Sequence, residues 1–459
     1  MSAFSSGEGT ENKMGVMPIN RLILNMSLPM MVSMFVQAAY NICDSIFVSW
    51  ISEEALTAVS LAFPFQMLMF SVSIGTCVGV NALLSMRLGQ KNQEAVNATA
   101  ANGLFLGLCN YLAFFVLGLF AIEPYLASQT SNPVIIEYGK QYLQIVMFAG
   151  FGIFIGIMFD RLLQSTGKTF YTMITQLIGA GTNIIFDPLL IFGIGPFPKL
   201  GIAGAAIATV AGQILSMIFS IIFNFRVNHE VKISFKGFKP DSTIIGQIYK
   251  VGVPSIVLQA VGSFTTYGMN LILKTFTAVA DTAIAVYGVY FKLNSFVFMP
   301  VFGLNNGVVP IIAYNYGARN KKRITKTVKS ALVLAVTIMS VGILIFELFP
   351  AGLLSLFKAS DSMLKIGVPA LRIIATSFVG AAIAIPLGSV FQSLGSAVYS
   401  MVVSIARQVV VLLPVAFLFS LSRNIDLVWL CFPVAELVSV ALSVYFYIRL
   451  YNKKIRVIQ

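Results

Sequence analysis

Long apolar stretches alternate with short polar breaks along the chain, and the stretches recur at one length. They cover 22–50, 57–86, 95–122, 136–159, 168–192, 201–225, 247–276, 282–312, 323–348, 363–390, 398–420 and 427–451. Each reaches the ~20 residues that a helix needs to cross the hydrocarbon of a bilayer. None shows the alternation of a transmembrane β-strand, and an open sheet would leave its backbone groups unsatisfied in lipid. The pattern predicts an all-α integral membrane protein of about twelve transmembrane helices. The longest hydrophilic connection, Arg226 to Lys250, falls near the middle. The organisation expected is a tail over 1–21, a six-helix half over 22–225, a linker over 226–246, a second six-helix half over 247–451 and a tail over 452–459.

The halves match each other in sequence. A shift of 228 residues places Gly75 on Gly303, Gly79 on Gly307, Val80 on Val308, Gly89 on Gly317 and Asn92 on Asn320. It also pairs Gln164, Ser165 and Gly167 with Gln392, Ser393 and Gly395, and Tyr171 and Met173 with Tyr399 and Met401. A shift of 225 aligns Pro29 with Pro254. Six spans per half is an even number, so both halves enter from one side. That predicts two parallel repeats around a central cleft, an arrangement whose usual use is transport.

Composition agrees with a lipid solvent. Hydrophobic residues make up 58% of the 459 and charged residues 10%, against roughly 25% charged in a soluble domain. The net charge of +13 raises the question of a nucleic-acid partner, but the distribution of that charge argues against one. With the N-terminus inside, 21 Lys and Arg fall on inner segments and 6 on outer ones, the latter being Lys140, Lys199, Lys274, Lys358, Lys365 and Arg423. Such a bias sets topology. It predicts a multi-pass plasma- or inner-membrane protein with both termini cytoplasmic and no nucleic-acid partner. The tail lacks the pattern of a cleaved signal. Cys43, Cys77, Cys109 and Cys431 lie in apolar segments without metal or disulfide spacing, and His229 is the single histidine. No metal centre, cofactor or enzyme signature is expected; with no nucleotide site, energy must come from an ion gradient.

Ionisable groups inside spans are costly and mark function. Asp44 lies toward the outer end of the first span. In the fifth, Asn183 and Asp187 are four apart and share a helix face, and Pro188 frees the carbonyl of Ile184. A carboxylate, an amide oxygen and a free carbonyl suit a hard monovalent cation or a held proton, and Asp44 at similar depth completes a shared ion site. Lys292 sits within the eighth span, where snorkelling to an interface is difficult, and is expected to line the cleft. Arg372 and Arg407 are read as snorkelling or paired, and Glu436 has no assigned role. Glu53 and Glu54 read as outer-loop acids, Asp160 and Arg161 as the inner end of the fourth span.

Together these residues resemble the multidrug and toxic compound extrusion family of cation-coupled antiporters. The resemblance runs from Pro29 to Tyr451. It is carried by Pro29, the run Asp44-Ser45-Ile46-Phe47-Val48, Asn183-x-x-x-Asp187-Pro188-Leu189, the run from Gly201 to Thr209, and Gly89 with Gly317. Similarity to the DinF-like and MepA-like branches implies a cation-coupling set of Asp44, Asn183, Asp187 and Thr209, with transient Na+ or H+ at the first three. Pro29 and Pro188 are the implied hinges. The NorM-like branch carries further acids in its seventh and tenth spans; here those spans offer Asn270 and Arg372, which argues against a second acidic ion site and leaves both as cleft-lining candidates. The resemblance implies exchange of an inward proton or sodium ion for outward export of amphipathic, often cationic, small molecules, by a monomer in contact with membrane lipids. Cation binding would neutralise the paired acids and bend the first span at Pro29. The alternative is a lipid or lipid-linked oligosaccharide flippase, for which Lys292, Arg372 and Arg407 would supply a cationic cleft. An intramembrane enzyme is disfavoured.

Overall fold

The computed structural model describes residues 11–357 and 359–458, apart from the side chains of Ser45 and Glu53. Residues 1–10 of the expected tail, Lys358 of the outer count, the Glu53 side chain and the Ser45 side chain of the Asp44 motif lie outside the described residues. A short α1 (Lys13–Val16) precedes α2 (Ile19–Ser49), α3 (Glu53–Gly89), α4 (Gln93–Gln129), α5 (Pro133–Phe148), α6 (Phe151–Ser165), α7 (Thr169–Phe192) and α8 (Ile202–Val227). After the connection 228–241 come α9 (Ser242–Leu273), α10 (Ala280–Gly317), α11 (Lys321–Leu348), α12 (Pro350–Ser355), α13 (Asp361–Ala375) and α14 (Phe378–Ser393). The chain closes with α15 (Val398–Ile405), a π-helical turn (Ala406–Leu412), α16 (Leu413–Ser420), α17 (Ile425–Val428), α18 (Cys431–Leu450) and a second π turn (Tyr451–Ile455).

Among the described residues, ten helical segments are long and apolar enough to cross a bilayer, and two bent pairs, each counted as one span, bring the number to twelve. The bent pairs fall on the expected spans over 136–159 and 363–390. α5 and α6 meet at 44° and α13 and α14 at 48°, and α13 begins 228 residues after α5. The repeat therefore extends to backbone detail that no hydropathy run carries. Lys91 and Arg319, 228 apart, have positive φ of 57° and 55°; the next residues, Asn92 and Asn320, cap α4 and α11 by accepting from Ala95 and Arg323 backbone N–H groups. Gly167 and Gly395 take φ of 87° and 66°, conformations that favour glycine.

The glycines shared by the halves seat helices across the interface between them. A Cβ on Gly75 or Gly79 would strike Ile256 and Ile248 of α9, and one on Gly303 or Gly307 would strike Met31 and Ser27 of α2. Thus α3 packs on α9 and α10 on α2, in matching registers. Gly89 and Gly317 close the end of the bundle where both chain ends lie: a Cβ on either would sit 1.9 Å from the Tyr314 or Met86 carbonyl oxygen.

Each half sends its leading segment into the other. Ile19, Leu22, Ile23 and Met26 of α2 are buried in the core of the second half, and Ile244 and Ile248 of α9 in that of the first. The flanking connections follow. Met14 and Met17 offer carbonyls to Arg323 Nη2 at 2.9 and 2.8 Å, and Asn315 also bonds Met14. In the opposite direction, Lys232 and Asp241 donate backbone N–H groups to Asn97 and Asn102 of α4. The two connections meet where Asn12 bonds Glu230, which also pairs with Lys168 at 3.1 Å.

Candidate functional site

Both helices that carry the acids are interrupted by proline. Pro29 lies inside α2 and Pro188 inside α7, and each denies its helix one backbone donor. At Pro29 the carbonyl accepts from Ser33 Oγ at 3.1 Å. Beyond that point α2 still touches α10 through Met31 and Phe35, and it also packs along α7, which brings Asp44 to the Asn183–Asp187 face.

The four residues expected to couple a cation lie together. Asn183 Nδ2 donates to Asp187 Oδ1 at 3.4 Å and to Thr209 Oγ1 of α8 at 3.2 Å. The Asp44 and Asp187 carboxyl groups are within hydrogen-bonding reach of each other. Asp187 is fully buried and Asn183 nearly so. Asp44 Oδ1, Asn183 Oδ1 and Asp187 Oδ2 are buried and accept no hydrogen bond from protein. Buried polar oxygens normally have partners, so this set has capacity for a ligand that offers positive charge or protons. Hard oxygens from carboxylate, amide and hydroxyl groups fit Na+ or H+; no His/Cys/Asp/Glu group suited to a multivalent metal occurs among the described residues.

Three neighbours escaped the sequence analysis. Tyr40, one turn before Asp44, and Tyr142 of α5 stand close enough to both carboxyls to feel their charge. Gln66 of α3 donates to Tyr142 Oη at 3.2 Å. The four-residue spacing from Tyr40 to Asp44 was a legible signal. Tyr142 and Gln66 are brought in by packing alone.

The basic candidates do not converge. Lys292 is exposed, 6.0 Å from the Phe357 ring, on the α10 face that carries Phe296, whose ring meets Phe35 of α2 at 5.7 Å. Arg372 instead pairs with Glu347 of α11, bonding its carbonyl at 3.3 Å. Arg407, on the π turn, pairs with Glu436 of α18 at 3.1 Å. Asn270 Oδ1 is buried without a partner. Asp160 and Arg161 do lie near the end of α6, but both are buried rather than solvated. Asp160 accepts from Thr175 and Ser220 at 2.8 and 2.7 Å, and Arg161 reaches across the halves to Asn306 at 3.2 Å.

The MatE family model matches this chain twice, over residues 29–189 and 254–418. The chain belongs to the MatE family. The two matches fall on the two repeats, and the resemblance carried by Pro29, Asp44, Asn183 and Asp187 is confirmed. A protein of Staphylococcus haemolyticus named multidrug export protein MepA is 26% identical over 437 residues, covering 95% of this chain and 94% of that one. A protein of Shewanella oneidensis named FAD transporter is 26% identical over 429 residues, 92% of each. Among solved structures, an outward-facing multidrug resistance MATE family transporter of the MOP superfamily superposes with a TM-score of 0.91 at 23% identity, covering 98% of this chain and all of its own. MatE proteins are multi-pass membrane transporters, not enzymes, and this chain has their fold.

Proposed function

We propose that this MatE protein is a secondary active exporter of the cell membrane, with both termini in the cytoplasm. It exchanges an inward proton or sodium ion for outward movement of amphipathic, often cationic, small molecules. The observation that carries this reading is the buried set of partnerless oxygens on Asp44, Asn183 and Asp187. Two carboxylates at hydrogen-bonding distance repel when both are charged, and a proton or Na+ between them removes the repulsion. Binding then draws α2 against α7, and the missing hydrogen bond at Pro29 lets the outer part of α2 move relative to the part that Gly307 holds at Ser27. The MepA relatives support small-molecule export. The 21-to-6 distribution of Lys and Arg supports the orientation.

The test is efflux from reconstituted vesicles with sodium and proton gradients imposed separately, using a cationic dye. Asp44→Asn and Asp187→Asn should each abolish gradient-driven efflux while the protein still inserts and folds. Near-normal transport by both variants would sink the reading, as would flux that needs no gradient. The relative named FAD transporter makes a flavin nucleotide a useful second cargo in the same vesicles, since its negative charge would call on Lys292 rather than on the acids.

A further inference from the structure

The start of α11 carries Lys321, Lys322, Lys326 and Lys329, which with Thr325 line an open surface depression. Lys322, Lys326 and Lys329 follow the i, i+4, i+7 spacing of one helix face, and all three are exposed. Among the described residues none of the four lysines has an ion pair, and Lys321 spends its ammonium on the Arg456 carbonyl at 3.1 Å. The repeat itself does not demand this charge. At the matching start of α4 the shift of 228 puts Gln93, Glu94, Ala98 and Ala101 in place of Lys321, Lys322, Lys326 and Lys329.

The same face continues as apolar surface. Val333, four residues after Lys329, is 60% exposed and Val336 is 36% exposed. The basic face therefore passes directly into apolar surface, with the order of charge and apolarity that a phospholipid has and a free phosphate lacks. Arg323, between the lysines, points the other way and holds the Met14 and Met17 carbonyls.

We propose that the start of α11 is a binding site for an anionic phospholipid, its phosphodiester held by Lys322, Lys326 and Lys329 and its chains lying on Val333 and Val336. Basic groups at a membrane surface attract anionic lipid with a strength that grows with each lysine. This site is independent of the ion-coupling reading, and binding rather than transport is its readout.

The experiment is native mass spectrometry of the purified full-length protein titrated with dioleoyl phosphatidylglycerol, dioleoyl phosphatidylcholine or inorganic phosphate. Phosphatidylglycerol should bind selectively. Lys322→Gln, Lys326→Gln and Lys329→Gln together should weaken it on the order of 100-fold, and each alone about 5-fold; the single variants keep the test decisive if the triple variant fails to fold. An equal charge loss on the linker, Lys232→Gln with Lys236→Gln and Lys239→Gln, should leave binding unchanged. Equal weakening by the linker variant, undiminished binding by the α11 variants, or displacement of the lipid by inorganic phosphate would each overturn the proposal.

Discussion

Replacement of Gly317 by alanine isolates the closure of the bundle at the end that carries both termini. The new Cβ would stand 1.9 Å from the Met86 carbonyl oxygen and 2.9 Å from its carbon, where ordinary contact begins at 3.4 Å. Both groups belong to helix backbone, so no side chain can rotate away, and α3 and α10 must part by about 1.5 Å or strain in place. Overpacking of this kind costs roughly 1–3 kcal/mol, and only in the state with this end closed. At 1.4 kcal/mol per decade, the equilibrium should move by about 5- to 150-fold toward the parted state. Spin labels at Gln90→Cys and Ala318→Cys, in a background without the four native cysteines, report the separation by pulsed electron resonance. Gly317→Ala should enlarge the long-distance population, and Gly262→Ala, whose Cβ meets nothing within 4 Å, should not. A folded Gly317→Ala protein with an unchanged distance distribution would refute the reasoning.

Two further outcomes follow from polar groups outside the coupling site. Removing one partner of the part-buried Arg407–Glu436 pair, as in Glu436→Gln, should cost about 1–2 kcal/mol, whereas Arg407→Met with Glu436→Leu should recover most of the loss; melting temperatures in detergent decide it, and a double variant as unstable as the sum of the singles contradicts it. Lys13, outside the spans, is pushed down to about 8 by burial and by Lys168, against the pull of Glu230. Docking of the N-terminal segment therefore favours the neutral amine. Its hold should be weakest below about pH 8 and strengthen as pH rises toward the ordinary value of 10.5. Hydrogen exchange over residues 12–18, corrected for intrinsic rate, should show that gain and lose it in Lys13→Met; protection that falls with rising pH would contradict the sign.

The frame was legible because lipid imposes a strong and repeated signal. The glycine matches from Gly75 to Gly317 carried the symmetry, and they are the positions where backbones cross between halves. The coupling site was legible in part, since Asn183, Asp187 and Pro188 lie within two helical turns and spacing reports such sites. Tyr142 and Gln66 were not, because tyrosines are common in apolar spans and only the packing of α5 against α3 makes this one special. The Arg407–Glu436 pair joins residues 29 apart on consecutive spans, with nothing local to link them. The bends after Phe148 and Ala375 occur without proline at the break, where a hydropathy run continues undisturbed. Docking of residues 12–17 was invisible too: a polar tail reads the same whether it is solvated or pinned by Arg323 and Asn315.

The crossing of the two leading segments has a bearing on how such a molecule is assembled. Each half grips an arm that belongs to its partner, at Met14 and Met17 on one side and at Lys232 and Asp241 on the other. Two subunits that exchange arms in this way form a swapped dimer. The connection 228–241 makes that exchange permanent, so each half keeps a piece of the other packed in its core.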